Sequence, residues 1–299
     1  MNTSVIIATK NREDDLKECL NSIFSQSQKP SEIIVVESGK QNPSIEKILK
    51  KNKASIPTKY MISPKQAVTS QRNLGIKNSV GDIIIFLDDD LVLEDNFIQE
   101  ILKTFKENDT NIGGVMGNIT NIERKHKTKR SINIFYRLFF LNRYTKSGEF
   151  TCAGFGTYVH GLSKITPTKY LSAGITAYKR EALQTTGGWD ENIPGYGTCC
   201  DEDISFRVSR KYKNFYTPFA RCIHNSSPVS RDSYVEQKAM YFRHRAYIFK
   251  KNFAKFPFNW FLFYWSVFGL FLLSIYSKDW PELKGYLSGT RSIIKGQIP

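Results

Sequence analysis

Three short apolar runs, SVIIAT (4–9), EIIVVES (32–38) and DIIIFL (82–87), recur in residues 1–90 with helical segments between them. Their apolar residues are consecutive rather than alternate, so both faces of each strand must be covered. Between them, EDDLKECLNSIFSQ (13–26) gathers Leu16, Leu20, Ile23 and Phe24 on one helical face, and PSIEKILKKN (43–52) opens a helix at a proline. PTKYMIS (57–63) reads as a further strand and 65–79 as a further helix. This alternation dictates βαβ units and a parallel, doubly wound α/β sheet. In such a sheet a ligand binds beyond the carboxyl ends of the strands. Thr9, Glu37 and the acidic run Asp88, Asp89, Asp90 all stand at such ends.

The pattern continues with a helix over 94–107 and a strand over 112–120. ERKHKTKR (123–130) is a basic run expected in a surface loop, and SINIFYRLFFLNRY (131–144) joins aromatic to basic residues. Residues 150–168, rich in Gly, Thr and Ser, read as an irregular loop that can cover a site. A strand and helix follow over 170–183, then a turn-rich loop leading into a helix over 187–211. FNWFLFYWSVFGLFLLSIY (258–276) carries no charge and is long enough to cross a bilayer or lie along its interface. Lys250, Lys251 and Lys255 precede it, with Arg243 and Arg245 a little earlier, which puts the N-terminal part on the cytosolic side. The expected division is a catalytic domain over 1–240 and a membrane-associated helical region over 241–299. Within the first, 1–120 is the nucleotide-binding half and 121–240 the acceptor half, with a basic and aromatic insert over 123–168.

A net charge of +15 points to an anionic partner. The basic clusters at 123–130 and 243–255 each adjoin an aromatic apolar stretch, which suits an anionic membrane surface and argues against nucleic acid. Five cysteines without a CxxC pair argue against a disulfide framework and a tetrahedral zinc site, so a reducing, cytosolic setting with no leader segment is expected.

Carboxylates at a strand end suit a hard divalent cation, which takes oxygen ligands together with substrate phosphates and neutralises a diphosphate leaving group. A second acidic run, Asp201-Glu202-Asp203, opens a helix. It serves either as helix N-terminal charge or as a source of a general base. The preceding GGWDENIPGYG offers glycines for close approach and aromatics for stacking. His224 closes the run PFARCIH and can reach the same sheet edge as a metal ligand; Arg72 stands where a guanidinium can clamp phosphate oxygens. These pieces together fit glycosyl transfer from a nucleotide-diphosphate sugar.

The segments VIIATKNREDDLKECLNSIFSQ, EIIVVESG, SQRNLGIKNSVGDIIIFLDDD, SAGITAYKREAL, GGWDE, DEDISFR and IHNSS, in this order over roughly 3–227, resemble glycosyltransferase family 2 with its GT-A fold. The resemblance implies that Asp88 and Asp90 are the DxD pair, with Asp90 on the metal, Asp88 nearer the ribose and Asp89 between them in the donor site. It sets Glu37 where the family usually has an aspartate contacting the base, Thr9 beside the base or ribose, and Arg72 beside the base or diphosphate. His224 completes the metal site. Aligning DISFR with the family's ED-x-DL-x-x-R makes Asp201 the base and puts Cys200 in place of the glutamate. Reading Glu202-Asp203 as the ED pair makes Asp203 the base instead. Trp189, Asp190 and Glu202 fall on the acceptor side. The implied activity is inverting transfer dependent on Mg²⁺ or Mn²⁺, to a lipid-linked glycan or glycolipid at the cytoplasmic face of the cell membrane. The alternatives are a non-catalytic sugar-nucleotide-binding relative, a basic membrane- or nucleic-acid-binding protein, and a nucleotidyltransferase. The last usually has a glycine-rich loop after its first strand, where this chain reads ATKNRED.

Overall fold

In the computed structural model the described residues are 1–52, 54–108, 111–121, 130–141, 148–159, 161–225 and 232–297. The alternation takes form as β1 (Thr3–Thr9), α1 (Glu13–Phe24), β2 (Glu32–Glu37), α2 (Pro43–Asn52), β3 (Thr58–Ile62), α3 (Val68–Lys77) and β4 (Ile83–Asp88). Next come β5 (Leu91–Leu93), α4 (Phe97–Glu107), β6 (Ile112–Ile119), α5 (Arg130–Leu138), β7 (Thr166–Thr168) and β8 (Ile175–Lys179). The chain continues through α6 (Arg180–Thr186), α7 (Cys200–Ser209), β9 (Lys213–His224), α8 (Tyr234–Asn252), α9 (Pro257–Tyr276) and α10 (Trp280–Ile294). The basic run expected over 123–130 lies outside the described residues apart from Arg130, as do positions 142–144 of the aromatic stretch.

One mixed sheet runs in the order β3-β2-β1-β4-β8-β6-β9-β5, with β7 paired to β9. The N-terminal strands are parallel, whereas β8 runs antiparallel to both β4 and β6. Val5 to Ile7, Ile33 to Val36 and Ile83 to Leu87 are buried, because helices cover both sheet faces and leave no position for alternation. The chain passes from β1 outward through β2 to β3, then returns to place β4 on the other side of β1. That reversal opens a crevice at the carboxyl ends of β1 and β4. Thr9 and Asp88 end those two strands.

The helices after residue 233 are joined to the sheet domain by charge pairs. Arg245 of α8 reaches Glu202 of α7, and Lys251 and Asn252 of α8 reach Asp203 of α7. His244 Nδ1 meets the Thr198 carbonyl at 2.9 Å. Residues 244–252 of α8 therefore pack against α7 and the turn that leads into it.

Candidate active site

The ends of β1 and β2 are tied together from below by Gln71, whose Nε2 donates to the Thr9 carbonyl at 2.8 Å and the Val36 carbonyl at 2.6 Å. Beyond them lies a cleft of about 590 Å³. Its walls include Thr9, Arg12, Arg72, Asp88 to Asp90, Tyr158, Gly174, Tyr196, Cys200, Asp201 and His224.

Each acid of the Asp88–Asp90 run has a different partner. Asp88 Oδ1 accepts from Arg72 Nη2 at 3.0 Å. Asp89 is buried; it accepts from the Thr9 hydroxyl at 2.7 Å and pairs with Arg12 at 2.9 Å. Burial pushes the Asp89 carboxyl up to about 6 against the opposing pull of Arg12 and Thr9. Asp90 Oδ1 faces His224 Nε2 at 2.9 Å, and Asp90 Oδ2 lies 3.5 Å from Arg12. The strand pair β5–β9 makes this possible: Leu91 registers against His224, so the end of β9 returns beside the acidic run.

One carboxylate oxygen from Asp88, one from Asp90 and one imidazole nitrogen of His224 lie within 4.8 Å of one another. Two hard oxygen donors with one imidazole can hold a divalent cation such as Mg²⁺ or Mn²⁺. The charge balance agrees, since three clustered carboxylates are set against two guanidiniums, Arg12 and Arg72. Asp88 also dictates a glycine. A Cβ on Gly174 would stand 1.9 Å from Asp88 Oδ2, while the Gly174 carbonyl accepts the Asp88 amide at 3.0 Å.

Arg72 links the two acidic runs. It is buried, its guanidinium lies 4.6 Å over the Trp189 ring, and its Nη1 meets Cys200 Sγ at 3.5 Å. Cys200 opens α7, so the next residue, Asp201, faces the same cleft. Asp201 Oδ1 accepts the Glu202 amide at 3.0 Å, and Oδ2 accepts the Tyr170 hydroxyl. Burial, reinforced by the Glu202 carboxylate, pushes Asp201 up to about 6. Such a carboxylate is ionised at neutral pH yet more basic than an exposed one, which suits proton abstraction. The turn feeding α7 holds Gly195, Gly197 and Cys199 at positive φ, and the Gly195 carbonyl accepts the Val68 amide.

Five expected site residues are not among those that line the cleft. Asp203 is buried with both oxygens occupied, Oδ2 by Arg207 at 2.6 Å and Oδ1 by Lys251 and Asn252 at 2.9 Å. It stands two residues after Asp201, so its side chain leaves the helix in a different direction. Trp189 is an element of the core, edge-on to Phe86 and Tyr178 beneath Arg72. Asp190 pairs with Lys251 and Tyr247, and Glu202 with Arg245 and the Gly156 amide. These four fix the cleft's supporting elements and do not line it. Glu37, also expected on the donor side, is buried and accepts the Asn11 and Gly39 amides, so it shapes the loops after β1 and β2.

Arg12, Tyr158 and Tyr170 were not singled out from the sequence. Arg12 had a visible signal, lying three residues beyond the β1 end. Tyr170 and Tyr158, whose rings stand 4.9 Å apart, gave none, because tyrosines are frequent in this chain and their approach to Asp201 is made by folding.

The fold defines a class. The mannosyltransferase PcManGT from Pyrobaculum calidifontis, solved with GDP-Man and Mn²⁺, superposes with a TM-score of 0.62 at 13% identity over 97% of this chain and 86% of that one. The architecture is GT-A. The sequence model of glycosyl transferase family 2 matches residues 4–184, more than half of the chain, and the protein belongs to that family. Among curated relatives, GlyA of Streptococcus pneumoniae is 29% identical over 104 residues, 35% of this chain and 15% of that protein. TarP of Staphylococcus aureus, a poly(ribitol-phosphate) beta-N-acetylglucosaminyltransferase, is 28% identical over 159 residues, 48% of this chain and 49% of that protein. The chain thus spans half or less of the length of these relatives.

Proposed function

We propose that the protein is an inverting, metal-dependent glycosyltransferase that moves a sugar from a nucleotide-diphosphate donor to an acceptor hydroxyl. The observation that carries this reading is one cleft lined by both the Asp88, Asp90 and His224 donor atoms and the Asp201 carboxylate, with Arg72 between them. Family membership and a structural relative solved with GDP-Man and Mn²⁺ support it.

Asp88, Asp90 and His224 would hold Mg²⁺ or Mn²⁺, which when bound would neutralise charge on the diphosphate. Thr9, Asp89 and Arg72 border the donor, and the Arg12 and Arg72 guanidiniums suit phosphate oxygens. Asp201 takes the proton from the acceptor hydroxyl as its oxygen attacks the anomeric carbon. The bond from that carbon to the diphosphate oxygen breaks on the opposite face, and the configuration inverts. Tyr170 and the Glu202 amide hold the Asp201 carboxylate in place for this step.

The same reading takes the acceptor to be a lipid-linked glycan or glycolipid, used at the cytoplasmic face of the cell membrane against an anionic surface. Support comes from α9, the one helix among the described residues that is long and apolar enough to cross a membrane, and from the lysines before it.

The kcat profile should have an acid limb near pH 6. Asp201 must be ionised to accept a proton, and its raised pKa means activity is present above 6 and lost as pH falls through it. A profile with no acid limb above the ordinary carboxylate range would count against Asp201 as the base. In Asp90→Asn, the thermal stabilisation given by donor plus Mn²⁺ should vanish while circular dichroism is unchanged. That stabilisation should be about 2.7 kcal/mol in the parent protein at a hundredfold excess over Kd. An undiminished shift in the variant would remove Asp90 from the metal site.

A further inference from the structure

We infer that α5 and α9 together form a seat for an anionic bilayer surface, with α9 lying in the interface rather than crossing it. This rests on the membrane association proposed above and gives it a geometry.

On α9, Phe258, Phe261, Tyr264 and Phe268 are 65%, 60%, 61% and 50% exposed, and their spacing of three, three and four puts them on one helix face. On α5, Ile134 and Leu138 are 59% and 57% exposed. The two helices are joined, since Phe139 stacks on Trp265 at 4.9 Å and the Trp265 indole donates to the Leu138 carbonyl at 2.8 Å. The exposed residues therefore make a contiguous apolar patch of a kind that a soluble monomer seldom leaves to water.

The opposite face of α9 shows why this helix does not span. It buries Phe263, Ser266 and Ser274. Ser274 donates to Glu282 of α10 at 2.9 Å, and Glu282 is in turn paired with Lys238 of α8 and accepts the Tyr286 hydroxyl. Carrying α9 through the hydrocarbon would drag this ion pair and the charged helices α8 and α10 with it, at a desolvation penalty the apolar stripe does not offset. Lying flat, α9 buries its stripe and leaves the pair on the protein side.

The occupant is chosen by charge. Arg137 precedes Leu138, Lys250 and Lys255 precede Phe258, and Lys278 follows Tyr276; all four are exposed. Aromatic residues flanked by cations match anionic headgroups above an acyl layer. The seat is also continuous with the cleft. Phe139 packs in one cluster with Ala153 and Phe155, and the same loop carries Tyr158 beside Tyr170 and Asp201.

The test is sedimentation of the full chain with phosphatidylcholine vesicles and with mixed phosphatidylcholine–phosphatidylglycerol vesicles, followed by an alkaline carbonate wash. Binding to the mixed vesicles should be about tenfold stronger and fully released by the wash. Phe261→Ser with Phe268→Ser should abolish binding to both, and Lys250→Glu with Lys255→Glu should remove only the anionic preference. Retention through the wash would mean a spanning helix and overturn the inference. Absence of vesicle binding would overturn it too, and a dimer by light scattering that Phe261→Ser breaks would name a second copy as the occupant. Thermal stabilisation of the same samples by nucleotide sugars is read separately, so failure of the transferase reading is distinguishable.

Discussion

Asp201→Asn is expected to lower kcat by about 10²–10⁴-fold, the usual contribution of a positioned general base. The amide is isosteric, and its oxygen can still accept the Glu202 amide or the Tyr170 hydroxyl that the carboxylate accepts now. Fold and donor binding should therefore survive, and the donor-induced thermal shift should match the parent protein. The contrasting substitution is Asp203→Asn. Asp203 is occupied by Arg207, Lys251 and Asn252, so its loss should lower the melting temperature rather than act on the chemical step. If Asp203→Asn stopped transfer at unchanged stability while Asp201→Asn turned over normally, the assignment of the base would be reversed.

The second large effect concerns stability. Arg245 and Glu202 form a buried pair at 2.6 Å, and Arg245 also donates to the Gly154 carbonyl and lies 4.4 Å over the Phe155 ring. Removing one partner of such a pair strands a buried charge and costs about 3–5 kcal/mol. Arg245→Ala should accordingly lower the melting temperature by roughly 6–10 °C, at about 2 °C per kcal/mol for a protein of this size. The double change Glu202→Gln with Arg245→Met removes both charges and should recover most of the loss. A single variant as stable as the parent would show that the pair contributes little and that the 153–156 loop is held by packing alone.

The N-terminal half of the molecule was legible because fully covered parallel strands write themselves as unbroken apolar runs. Each of β1, β2 and β4 falls within a residue of its expected bounds, and the position of Asp88 at a carboxyl end followed directly. Asp89 and Asp90 follow it in a turn, where the strand pattern alone does not say which way each side chain points. His224 required more. Its approach to Asp90 depends on the short β5 and on all of β9, of which the apolar run PFARCIH is only the second half. The place of α8 is not written in its own sequence, because its charges are spent on internal partners such as Glu202 and Asp203. Trp189 shows the opposite failure. In a glycine-rich loop it resembles a stacking platform, but folding turns it into the cage of Phe86 and Tyr178, where it supports Arg72. Local sequence reveals which residues can do chemistry; which of them face the cleft is decided by contacts more than a hundred residues apart, such as Arg72 with Cys200.

The most direct test of the central claim is a thermal-shift and hydrolysis screen of uridine, guanosine and thymidine diphosphate sugars with Mn²⁺ or Mg²⁺. One donor class should stabilise the protein and be hydrolysed slowly, and EDTA should abolish both effects. Stabilisation by no nucleotide sugar, with either metal, would contradict the proposal that the Asp88–Asp90–His224 cleft is a donor site.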